Sequence, residues 1–140
     1  MLLGFDKQQI NLNIESNRLI AELLPNKVDL GLIGSEEVER ALDNPIGTDK
    51  VENLVKAGQK VCIITSDITR PMPSKTCLPP LIKRLNKAGV KNSDILIVFA
   101  LGSHRPHTEQ EMRYLVGDEV FDNIECVDSN PEQCVRVGVT

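Results

Sequence analysis

Val61-Cys62-Ile63-Ile64 and Ile95-Leu96-Ile97-Val98-Phe99-Ala100 decide the fold. Each run is too short for a helix and is rich in β-branched side chains. The first therefore reads as a buried strand covered on both faces, and the second as another buried strand. Between them Ser74 opens a helix that carries Leu78, Leu81, Ile82 and Leu85 at helical spacing. It stops at Ala88-Gly89, where glycine suits a left-handed cap. Pro79 and Pro80 fit such a helix only in its first turn. After the second strand, Thr108-Glu109-Gln110-Glu111 is a capping box for a helix with Met112, Leu115 and Val116, ended by Gly117. Ile124-Glu125-Cys126-Val127 reads as a third strand. This β-α-β-α order implies parallel strands joined by right-handed crossovers.

Upstream, Ile10, Leu12 and Ile14 alternate with polar residues, and alternation resumes at Leu19, Ala21 and Leu23 after Glu15-Ser16-Asn17. Period two on both sides of a turn predicts a β-hairpin, closed off by Pro25-Asn26. Ser35 offers an N-cap to a helix with Glu36 and Glu37 in its first turn and Val38, Ala41 and Leu42 on one face. Asp43 to Gly47 breaks it, and a second short helix is expected over Glu52 to Lys56, stopped by Gly58. The expectation is an α/β fold: a mainly parallel, Rossmann-like sheet with flanking helices and an N-terminal β-hairpin, forming a single domain over residues 1–140.

Composition narrows the function. With 41% hydrophobic and 26% charged residues, disorder is not favoured. One Tyr, three Phe and no Trp leave the core to Leu, Ile and Val and argue against stacking platforms for single-stranded nucleic acid. A net charge of −4, without a basic stripe, argues against duplex binding. No apolar run is long enough for a membrane span, and the N-terminus lacks a signal-peptide pattern, so a cytoplasmic location is expected. Cys62, Cys77, Cys126 and Cys134 form no CxxC pair, which disfavours a zinc site or a disulfide framework. Cys62 and Cys126 sit in apolar runs and are expected to be small core residues.

The chemistry is concentrated in two loops, Ser66-Asp67-Ile68-Thr69-Arg70-Pro71-Met72-Pro73 and Ala100-Leu101-Gly102-Ser103-His104-Arg105-Pro106-His107-Thr108. They follow neighbouring strands, about one βαβ unit apart, at the carboxyl edge where open α/β sheets bind ligands. Asp67 reads either as a cap or structural partner for Arg70, or as a carboxylate that orients an imidazole. Arg70 precedes Pro71, and Pro73 stiffens the loop further, so the guanidinium suits bidentate carboxylate binding. His104, after Gly102-Ser103, is a candidate general base. Arg105 is open between anion binding and buttressing the loop, and His107, beside the Thr108 cap, reads as a bystander. No GxGxxG, Walker A or GxSxG pattern occurs.

These two loops, with Thr108-Glu109-Gln110-Glu111 and the upstream Ala41-Leu42-Asp43-Asn44-Pro45-Ile46-Gly47, resemble the amino-terminal domain of the nickel-dependent lactate racemase family. The resemblance implies a nickel pincer nucleotide derived from nicotinic acid, held through a lysine and a nickel-ligating histidine, that exchanges a hydride with the α-carbon of a 2-hydroxy acid. Two histidines serve as base and acid on the hydroxyl, and an arginine holds the carboxylate. By the same resemblance Arg70 is the carboxylate clamp, His104 the first histidine and Asp67 its polar support. Thr69 lines the cofactor phosphate or steadies the loop. The second histidine, the lysine and the nickel ligand would lie beyond Thr140, so no metal site is expected within this chain. The expectation is a fragment of a longer racemase-like protein, inactive alone, whose partners are a small 2-hydroxy acid and the rest of its own chain. The competing reading is a non-catalytic module that binds a small carboxylate or phosphate through Arg70 and Arg105.

Overall fold

The computed structural model describes residues 1–6, 8–130, 132 and 135, which leaves Cys134 and the apolar ending Val137 to Thr140 outside the described residues. The chain divides into two compact units, Met1–Leu30 and Gly31–Thr140. In the first, β1 (Leu2–Phe5) pairs antiparallel with β2 (Gln8–Asn11), with Leu3 opposite Ile10. Asp6 begins the turn at a φ of 53°, a left-handed conformation that aspartate tolerates better than most side chains. The amino group of Met1 donates to the Leu12 carbonyl at 3.0 Å and closes the ladder. The N-terminal hairpin is therefore present, but its strands are not the expected ones. The turn at Glu15 to Arg18 forms, while residues 19–23 belong to no strand. The alternating stretch from Ile10 finds its partner upstream, across a shorter loop.

The second unit holds the parallel sheet. Strands β3 (Val61–Ser66), β4 (Ile95–Ala100) and β5 (Glu125–Asp128) lie in that order, all parallel. Helix α3 (Ser74–Lys87) connects β3 to β4, and α4 (Glu109–Val116) with α5 (Asp118–Asn123) connects β4 to β5. Ile97 and Phe99 are fully buried on one face, packed with Leu78, Ile82 and Leu85 of α3, Leu115 and Val116 of α4, and Val120 of α5. The opposite face differs from expectation. Cys62 is exposed and Ile64 is 71% exposed, so β3 is covered on one face only. Cys126 is half-buried against the core, and burial pushes its thiol up to about 11.

Two helical readings also change. Helix α1 (Gly34–Asp43) starts after Ile33, so Ser35 lies within its first turn and is not its cap. Pro79 and Pro80 sit inside α3 rather than in its first turn. Each removes a helix hydrogen bond at a cost of about 3 kcal/mol; burial of Pro80 beside Leu78 and Ile82 offsets part of it. The short helix α2 (Val51–Leu54) and α1 are tied to α3 by one guanidinium. Arg84 donates to Glu39 at 2.6 Å and to Asp43 at 2.9 Å, and lies 3.4 Å from Glu52. This fork holds the Asp43 carboxyl well below the usual carboxylate range. Among the described residues, no helix is long and apolar enough to cross a membrane.

The turn from α3 to β4 depends on Gly89, whose φ is 93°. A Cβ there would lie 2.8 Å from the Cβ of Ala57. At Gly58, φ is 83° with nothing within 4 Å of an added Cβ. Gly58→Ala is expected to destabilise by about 1 kcal/mol through backbone strain alone. Gly89→Ala adds overpacking and is expected to cost about 2–3 kcal/mol. Urea denaturation of the two variants measures the difference.

Candidate active site

The parallel register pairs Ser66 with Ala100, so β3 and β4 end level with one another. Asp67 is the first residue beyond β3 and is buried. Its carboxylate accepts the Thr69 hydroxyl at 2.9 and 3.1 Å, the backbone N–H of Arg70, and Nδ1–H of His104. Burial works against its charge, but the hydrogen bonds from His104 and Thr69 prevail and hold the carboxyl below its ordinary value. Asp67 is therefore an anion at neutral pH, and the shared hydrogen belongs to Nδ1 of His104. Nε2 is the second nitrogen of the His104 ring, whose side chain is 43% exposed. A buried carboxylate hydrogen-bonded to a partly exposed imidazole is the arrangement a general base requires, which makes His104 a candidate for that role.

The rest of the first loop is fixed from both ends. The Met72 N–H donates to Ser66 Oγ at 2.9 Å, and the Ser74 N–H donates to the Met72 carbonyl at 2.7 Å. Thr65 and Ser74 share a buried hydroxyl hydrogen bond of 2.5 Å beneath it. Arg70 stands at the exposed tip. Among the described arginines it is the one without a carboxylate partner, whereas Arg18, Arg40, Arg84, Arg105 and Arg113 are all ion-paired. Beside the loop, Pro71, Met72, Pro73, Lys75, Tyr114 and Leu115 line a groove of about 400 Å³.

In the second loop, Gly102 takes a φ of 58°, which lets the His104 N–H turn back onto the Leu101 carbonyl at 3.0 Å. Arg105 forks onto Glu111 at 2.7 and 2.9 Å, while Glu111 also accepts the Thr108 N–H in the expected capping box. Arg105 is thus committed to buttressing the start of α4. Thr69 gives its hydroxyl hydrogen to Asp67 and lies 3.3 Å from His104 Nδ1, an arrangement that steadies the loop. Among the described residues, no three His, Cys, Asp or Glu side chains come together as a metal-binding group.

His107 is the residue that sequence reasoning undervalued. Its side chain is 1% exposed. Nε2 accepts the Ile68 N–H at 3.0 Å, and Nδ1 meets Asp128 Oδ1 at 2.5 Å. The sequence signal that marks it is Asp128, a carboxylate ending the third apolar strand much as Asp67 follows the first.

A family model described as the lactate racemase N-terminal domain matches residues 5–140. The chain is 34% identical over 141 residues to a lactate racemase of Lactiplantibacillus plantarum, covering 97% of this chain and 33% of that protein. It is 43% identical over 91 residues to a lactate racemase of Thermoanaerobacterium thermosaccharolyticum, covering 64% of this chain and 21% of that protein. The structure of the lactate racemase apoprotein from the latter organism superimposes with a TM-score of 0.72 at 31% identity, over 92% of this chain and 30% of that one. A crystal structure of a Thermotoga maritima protein shares the fold, with a TM-score of 0.56 at 21% identity over 76% of this chain and 24% of that one. The chain thus spans about a third of the length of the first of these relatives.

Glu111 gives the loop a pH signature. Arg105 first, and then the Thr108 N–H, hold its carboxyl down to about 2, against about 4.3 in an unfolded chain. A carboxyl depressed in the folded state binds fewer protons there than when unfolded. Its stabilisation is full above about pH 5 and is lost as pH falls through about 4 towards 2. Glu111→Gln is expected to lower stability at pH 7 and to flatten the acid limb of the urea midpoint measured across that window.

Proposed function

Because the chain belongs to the family of lactate racemase N-terminal domains, we propose that it supplies the substrate clamp and one proton-transfer group of a racemase acting on lactate or a close 2-hydroxy acid. The observation that carries this reading is the unpaired Arg70 guanidinium on the same loop as the Asp67 that orients His104. A guanidinium fork binds a carboxylate bidentately. In this reading the hydroxyl of a 2-hydroxy acid, on the adjacent carbon, is the group that His104 serves as base.

The chemistry favours this division of labour. An α-hydrogen beside an ionised carboxylate is poorly acidic, because its removal as a proton would build a second negative charge next to the first. Oxidation at that carbon and reduction from either face avoids the dianion. It requires that the hydroxyl proton leave and return. In this reading His104 takes that proton on Nε2 and gives it back, Asp67 stabilises the imidazolium so formed, and Arg70 holds the carboxylate still while the carbon changes hand. When bound, the nickel pincer nucleotide implied by the family resemblance would supply the hydride acceptor for that oxidation. The described residues provide no metal-binding group, and every step given to this chain is a binding or proton-transfer step.

Titration of D-lactate, L-lactate and propionate into the chain, followed by calorimetry or NMR, tests the reading. Both enantiomers of lactate are expected to bind, and Arg70→Ala to weaken them at least about tenfold, the loss of one charge-assisted pair. Propionate, which lacks the hydroxyl, is expected to bind more weakly than lactate to the wild type and equally to His104→Gln. Undiminished binding by Arg70→Ala removes the clamp. Equal binding of lactate and propionate by the wild type leaves a carboxylate-binding module without an acid–base role.

A further inference from the structure

We infer that His107 is a positioning residue that holds the substrate-clamp loop in place through the acceptor nitrogen of its buried ring. The inference rests on the assignment of Arg70 and His104 above, and extends it to a residue that touches no solvent-facing ligand. The His107 ring lies under the loops with its centroid 5.1 Å from that of Phe99. Its backbone N–H donates to Asp128 Oδ2 at 2.8 Å, and its Nδ1 meets Oδ1 of the same carboxylate at 2.5 Å. Its Nε2 lies 3.0 Å from the Ile68 nitrogen.

The hydrogen positions follow from the partners. A backbone N–H can only donate, so Nε2 must accept from Ile68 and carry no hydrogen. The ring hydrogen is then on Nδ1, where Asp128 accepts it. Asp128 therefore sets the tautomer, and the tautomer supplies the acceptor. Among the described residues no other acceptor is seen for the Ile68 N–H, and leaving this part-buried amide unpaired is unfavourable. The peptide so fixed joins Asp67 to Ile68, and Thr69 and Arg70 follow directly. The ring thus links the end of β3 to the end of β5 across the His104 loop. It holds Asp67 at the distance where it meets His104, and it sets the root from which Arg70 projects.

Two amide variants separate this role from general packing. The side-chain end of His107→Gln reaches the position of Nε2 and can accept from Ile68. That of His107→Asn reaches only the position of Nδ1 and keeps Asp128 alone. The chain has two histidines, so in either variant every imidazole resonance belongs to His104. In the wild type, nitrogen-15 spectra are expected to show His107 with hydrogen on Nδ1 and none on Nε2. In His107→Asn, Ile68 amide exchange is expected to accelerate at least tenfold, the His104 Nδ1–H signal to be lost, and lactate affinity to fall about tenfold. His107→Gln is expected to restore all three to within about threefold of wild type. A wild-type His107 protonated on Nε2, or Gln and Asn variants that behave alike at Ile68 and His104, overturns the inference. If no form binds lactate while the two variants still separate at Ile68 and His104, the positioning role stands and the substrate assignment falls.

Discussion

The pairing of Ser66 with Ala100 governs the rest of the molecule. Two parallel strands that end level deliver their following loops to the same place, and everything chemical here sits in those loops. The register is not free to drift. Ile97 and Phe99 are fully buried against α3 and α4, and a one-residue slip would turn them to the opposite face of the sheet. The core on one side of the sheet therefore sets the distance between Asp67 and His104 on its edge. The Arg84 fork on Glu39, Asp43 and Glu52 does the same work for the helices behind α3.

Asp67 with His104 and Asp128 with His107 are the same chemical pair twice, each joined through Nδ1. Burial alone separates their uses. Where the ring is partly exposed, at His104, the proposed reaction uses it for proton transfer. Where the ring is enclosed, Nε2 is occupied by a backbone N–H and the imidazole becomes a strut. Three positions separate the two histidines in sequence, and their roles differ because one lies in the turn after Gly102 and the other beneath it.

Much of this was legible in the residues. The three apolar runs, the Thr108 capping box and the glycine stops fix the parallel sheet and its connections, and the loops after the first two strands contain Asp67, Arg70 and His104. What escaped was whatever depended on partners distant in sequence. Alternation at Ile10 could not say whether the pairing strand lay before or after it. The apolar character of Val61 to Ile64 suited a strand covered on two faces, but only packing reveals which faces are covered. Pro79 and Pro80 break a helix in isolation, and tertiary burial overrides that preference. Arg105 left two options that Glu111 resolves, and His107 gained its role from Asp128 and Ile68, neither of which is its neighbour in the chain.

The one-sided cover of β3 has a consequence for how the chain behaves in solution. Ile64 and Cys62 stand on an uncovered sheet face, and among the described residues β3 pairs only with β4, so its other edge presents unpaired backbone groups. An apolar face beside an open strand edge is a template for intermolecular β-pairing. The exposed thiol adds a route to covalent cross-linking between such pairs. A net charge of −4 opposes that approach at low ionic strength, and added salt screens the repulsion. Colloidal stability of this chain therefore falls with salt and with oxidant.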